Sequence, residues 1–156
     1  MIYLKNLLSI LIFVFILFIE LLINTILNFD YFLIMPFFIA MFIVSTRRFS
    51  NFYISVFLVA GLYYDSLFSS NILGFSSAKF LLTIILMNFI IANQENNIYL
   101  DFATFTVGIF LYKFIYSFQY LNPDFLYQLL ISSVLNYFLF KILNITIDKN
   151  VLKQKI

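Results

Sequence analysis

The stretch from Leu7 to Leu27, LLSILIFVFILFIELLINTIL, contains one charged residue, Glu20, and is long enough to cross a bilayer as a helix. It lacks the small-x-small cleavage site of a signal peptide, so we expect an uncleaved first membrane span. A helix satisfies its own backbone hydrogen bonds in lipid. The stretch therefore predicts an all-α membrane protein.

The composition of the whole chain favours the same class. Of 156 residues, 64% are hydrophobic and 10% are charged. So few charged residues cannot form the polar surface that a soluble domain of this size needs. The chain has no cysteine and no histidine, so it lacks the commonest nucleophiles, general bases and transition-metal ligands. A formal net charge of +2 does not indicate nucleic-acid binding. We expect no cofactor and no metal.

Apolar runs alternate with polar turns along the entire sequence. This alternation predicts one domain, residues 1–156, folded as a compact polytopic bundle of about six transmembrane helices. The second span is short, and Pro36 lies in its first half. The predicted spans cover about residues 7–28, 31–45, 52–68, 76–92, 98–118 and 125–145.

The basic residues near the span ends predict the orientation. With six spans, Lys5, Arg47, Arg48 and the lysines of the C-terminal tail all lie on one side. Because cytoplasmic loops carry the excess of Lys and Arg, we expect both termini in the cytoplasm. If the short second span re-enters the membrane instead of crossing it, the N-terminus lies on the opposite side.

Besides Asp101 and Lys141 near span ends, four charged residues lie within the predicted spans: Glu20, Asp65, Lys79 and Lys113. Each costs at least ~2.5 kcal/mol at the centre of a bilayer, so each needs a structural or functional reason. In the predicted orientation all four lie in the outer half of the bundle, and we expect at least one acid–lysine pair among them. The alternative for the two lysines is that they extend to the lipid headgroups.

These charged residues lack the partners that a catalytic site would need. An intramembrane aspartyl site at Asp65 requires a second aspartate at the same depth, and Asp101 begins its helix on the opposite side. Ser76 and Ser77 beside Lys79 have the pattern of a helix cap followed by an interfacial lysine. The sequence therefore predicts a protein that is not an enzyme.

The motif GLYYD at residues 61–65, followed by Leu73-Gly74, predicts a shaped hairpin between the third and fourth spans. Gly61 allows a neighbouring helix to approach closely, and the Asp65 carboxylate is suited to capping the next helix. Gly74 permits a backbone angle that other residues resist. Such a hairpin either serves the fold alone or is also shaped for a partner.

This motif resembles the signature of the rod-shape-determining protein MreD family. In that family a glycine lies four residues before an aspartate at the outer end of a span, and a Leu-Gly pair opens the next span. Pro36 with the apolar run to Val44 resembles the family's second span, and Arg47-Arg48 its short basic loop. The resemblance covers about residues 36–91, and the interval from Asp65 to Gly74 is one residue longer than usual.

The resemblance implies a non-enzymatic scaffold in the bacterial inner membrane, within the cell-wall elongation complex that maintains cell shape. The implied direct partner is the single-span protein MreC, which links the complex to the MreB filament and to the elongation synthase and transpeptidase. The residues expected to bind the partner or to build the motif are Glu20, Pro36, Gly61, Asp65, Gly74, Lys79 and Lys113.

A second family has the same size and six-span plan. The chain also resembles the substrate-binding components of energy-coupling-factor vitamin transporters, whose architecture is related to that of MreD, so fold alone does not decide. A vitamin binder needs an outward polar and aromatic pocket. Its candidate lining residues here are Tyr63, Tyr64, Tyr112, Tyr116 and Tyr120. The chain has few alanines and no Ala-x-x-x-Ala docking motif, which favours the scaffold.

Overall fold

The computed structural model describes residues 2–27, 32–47, 49–67, 72–93, 97–117 and 123–153. All regular secondary structure in these ranges is helical, which confirms the predicted all-α class. The helices are α1 (Ile2–Leu27), α2 (Pro36–Arg47), α3 (Asn51–Leu67), α4 (Phe75–Ala92), α5 (Ile98–Ser117) and α6 (Pro123–Lys153).

Three segments are long and apolar enough to cross a membrane: Asn6–Ile26, Phe75–Ala92 and Pro123–Asp148. Large apolar side chains also cover the outside of the bundle, as at Phe89 and Phe138, which are 66% and 65% exposed. An apolar surface of this kind is unfavourable in water and matches the lipid environment. These features indicate a helical membrane protein.

The short helix α2 is the centre of the bundle. It contacts α1, α4, α5 and α6. Its aromatic side chains are fully enclosed, and the Phe42 ring packs edge-to-face against Phe105 and Phe140 at centroid distances of 4.9 Å each. Such ring pairs add stability beyond the area that they bury. The core is therefore an aromatic cluster arranged around α2.

The prediction of a helix over residues 31–45 is wrong for the first part of that range. Residues 32–35 are not helical, and α2 begins at Pro36. Proline suits the first position of a helix because it has no N–H to leave unpaired, and it disfavours helical geometry in the preceding residue. The 12 helical residues rise about 18 Å, which is less than the ~30 Å hydrocarbon core.

The non-helical segment 32–35 forms its backbone hydrogen bonds with side chains of other helices. From α1, the Asn24 amide nitrogen donates to the Ile34 carbonyl at 2.8 Å. The Ile34 N–H in turn donates to Asn24 Oδ1 at 3.1 Å. Non-helical backbone is tolerated at membrane depth only where it is enclosed by protein or lines a cavity, and this two-way contact meets that condition.

Helix α6 holds the same segment from the other side. Asn136 Oδ1 accepts the Met35 N–H at 2.8 Å, and Asn136 Nδ2 donates to the Leu33 carbonyl at 2.7 Å. Ser132, one turn earlier on α6, accepts the Leu33 N–H at 2.9 Å. Both α6 side chains are fully buried. The segment before α2 is thus suspended between α1 and α6 by polar side chains.

At its other end, α2 is joined to the last part of α6. Arg47 Nη2 lies 2.7 Å from Asp148 Oδ1, and Arg47 Nε donates to Asn144 Oδ1 at 3.0 Å. Arg48, the second residue of the predicted basic pair, lies outside the described residues. The side chain of Arg47 therefore ties the predicted cytoplasmic end of α2 to α6.

Replacing Asn136 with alanine removes both of its hydrogen bonds to segment 32–35 and leaves buried backbone groups unpaired. We expect the free energy of unfolding to fall by about 2–4 kcal/mol. Thermal unfolding in detergent micelles, followed by circular dichroism, measures the change. The control is Asn93→Ala, since Asn93 is exposed and its side chain donates to the Phe89 carbonyl at the end of its own helix. Equal melting of the two variants would contradict the role assigned to Asn136.

Candidate functional site

Glu20 is buried, and its carboxylate is bound by the N-terminus of α2. Oε2 accepts the backbone N–H of Phe37 at 2.8 Å, and Oε1 accepts the Tyr112 hydroxyl at 2.8 Å. A helix N-terminus has unpaired N–H groups and a partial positive charge, so it stabilises an anion. Pro36 places this N-terminus opposite Glu20, which explains how an acidic residue is accommodated in an apolar helix.

Asp65 performs the equivalent task for α4. Its carboxylate accepts the N–H of Gly74 at 2.8 Å and the N–H of Ser76 at 3.1 and 3.2 Å. Gly74 has φ +94°, a left-handed conformation that glycine adopts without strain. The predictions that Asp65 caps the next helix and that Gly74 turns the chain are both confirmed.

Gly61 brings α3 and α4 into backbone contact. A Cβ atom at this position would lie 2.4 Å from both Cα and N of Ser77, so any side chain would force the helices apart. Across the same contact, Ser77 Oγ donates to the Leu58 carbonyl at 2.9 Å. The predicted close approach is confirmed, and its neighbour is α4 of the same chain.

Lys79 lies inside the bundle with 4% of its surface exposed. Its Nζ lies 5.0, 5.3 and 5.9 Å from the ring centroids of Tyr112, Phe80 and Tyr64. Aromatic faces attract cations at such distances. The ammonium also interacts electrostatically with Glu20 and Asp65. Lys79 is therefore held by rings and by opposite charge, in the interior and not at the surface of the bundle.

These charged side chains meet at a cavity of about 270 Å³. Four helices contribute to its wall, and the lining residues are Glu20, Leu21, Asn24, Tyr64, Lys79, Tyr112 and Lys113. The structure thus brings three of the four predicted intramembrane charges to one cavity. Asp65, Gly61 and Gly74 shape the adjoining hairpin, and Pro36 positions the helix end that binds Glu20.

Two direct ion pairs of the described residues lie away from the cavity. Besides Arg47 with Asp148, Lys141 Nζ lies 3.3 Å from Asp101 Oδ2, toward the opposite end of the bundle from the cavity. At the cavity, Lys79 and Lys113 each interact electrostatically with Glu20. The predicted attraction between acids and lysines is present in this cluster.

The five tyrosines proposed to line a vitamin pocket do not all lie at the cavity. Tyr64 and Tyr112 line the cavity, whereas Tyr63 faces a separate groove beside α1. The side chains of Tyr116 and Tyr120 lie outside the described residues. Sequence reasoning also missed Ser132 and Asn136, although buried polar residues one turn apart in an apolar helix are a recognisable sign of such contacts.

No family model, curated protein or solved structure matches the chain. Within the described ranges, no group of three or more His, Cys, Asp or Glu residues is placed to hold a metal ion. The polar groups that line the cavity are two ammoniums, one carboxylate, two phenols and one amide.

We expect Gly61→Ala to lower the free energy of unfolding by about 2–3 kcal/mol, because the added methyl group collides with backbone that cannot rotate away. Gly74→Ala should cost less, about 1 kcal/mol, since nothing surrounds that position and only the left-handed conformation is penalised. Ser66→Ala on the exposed side of α3 is the neutral control. Melting temperatures in one detergent rank the three variants, and a Gly61 variant as stable as the control would refute the close contact.

Proposed function

We propose that this chain is a non-enzymatic scaffold of the bacterial cell-wall elongation complex, which binds an MreC-like single-span protein and helps to maintain cell shape. The observation that carries the proposal is the geometry of the α3–α4 hairpin. Each residue of the MreD-like motif has a distinct structural task there: Gly61 allows contact, Asp65 caps and Gly74 turns. These structural roles support the resemblance more strongly than the short sequence pattern does by itself.

A rigid bundle end supports a scaffold role. Glu20 fixes the N-terminus of α2 and Asp65 fixes that of α4, so two acids immobilise neighbouring helix ends. A preorganised surface loses little conformational entropy when a partner docks. Association of helices in lipid depends on close packing and polar contacts, for which a fixed surface is an advantage.

The groove beside α1 is the surface that we assign to the partner's helix. It has a volume of about 260 Å³ and is lined by Leu11, Val14, Phe15, Phe18 and Tyr63. Phe15 and Phe18 are 62% and 40% exposed, so their rings project from the bundle. A groove between projecting rings receives the side chains of a single helix and sets its rotation.

The proposed location is the bacterial inner membrane, with six spans and both termini in the cytoplasm. The positive-inside tendency supports this orientation, because Arg47 and Lys141 lie toward one end of the bundle. The cavity and the α3–α4 hairpin then lie toward the outside.

The absence of native cysteine allows this orientation to be tested with single cysteines. Ile72 and Asn93 are exposed and lie at opposite ends of α4. In spheroplasts, we expect Ile72→Cys to react with a membrane-impermeant maleimide and Asn93→Cys to react only after permeabilisation. The reverse pattern would invert the orientation, and labelling of both in intact spheroplasts would show that α4 does not cross.

Affinity purification from native membranes in mild detergent tests the partner. We expect mass spectrometry to recover a single-span coiled-coil protein together with cell-wall synthases. Phe18→Ala should reduce this recovery several-fold by removing a ring from the groove. Phe138→Ala is the matched control, because its ring is exposed on α6. Equal losses in both variants would refute the groove, and failure of the wild type to recover such proteins would refute the scaffold.

The cavity supports a second candidate, a substrate-binding component of an energy-coupling-factor vitamin transporter. Tyr64 and Tyr112 in its wall fit that reading. Its volume of about 270 Å³ lies just below the 300–1,000 Å³ typical of small-molecule pockets, which favours the scaffold. The same purification separates the two candidates, because recovery of a transporter with its ATPases, or of a bound vitamin, would replace the scaffold proposal.

A further inference from the structure

We draw no further inference here: the strongest candidate, the charged cavity between α1, α3, α4 and α5 that Glu20, Lys79 and Lys113 line, belongs to the site already described, and nothing in the described part of the chain selects one class of ligand for it.

Discussion

Backbone N–H and C=O groups that lack a helical partner are the constraint on which this bundle depends. In an apolar interior such groups must be paired within the protein. The chain leaves helical geometry before Pro36, and the freed groups of that segment are met by Asn24, Ser132 and Asn136, while Glu20 binds the first turn of α2. The helices α1 and α6 thereby become fixed around α2, and the aromatic core packs in the space that this arrangement leaves.

The same constraint explains the start of α4. Asp65 pairs the N–H groups at that helix end, and Gly61 and Gly74 give the backbone the contact and the turn that the pairing needs. Two acidic residues of the apolar helices thus serve as caps for other helices.

The proposed partner groove and the charged cavity lie on different faces of the bundle. The groove proposed for the partner's helix runs along α1 beside Tyr63, and the cavity is lined by the neighbouring Tyr64. Successive residues on α3 therefore contribute to the two surfaces.

Sequence alone determined the structural class, because the apolar runs have the length of membrane spans and a helix pairs its own backbone N–H and C=O groups in lipid. It also indicated the tasks of Gly61, Asp65 and Gly74, since all three act within one hairpin between helices that follow each other in the chain. Only the tertiary structure decided the non-helical entry to α2, the partners of Glu20 and the meeting of Lys79 with Lys113. Those features join helices far apart in sequence, and local periodicity carries no information about which distant side chain will meet an unpaired backbone group.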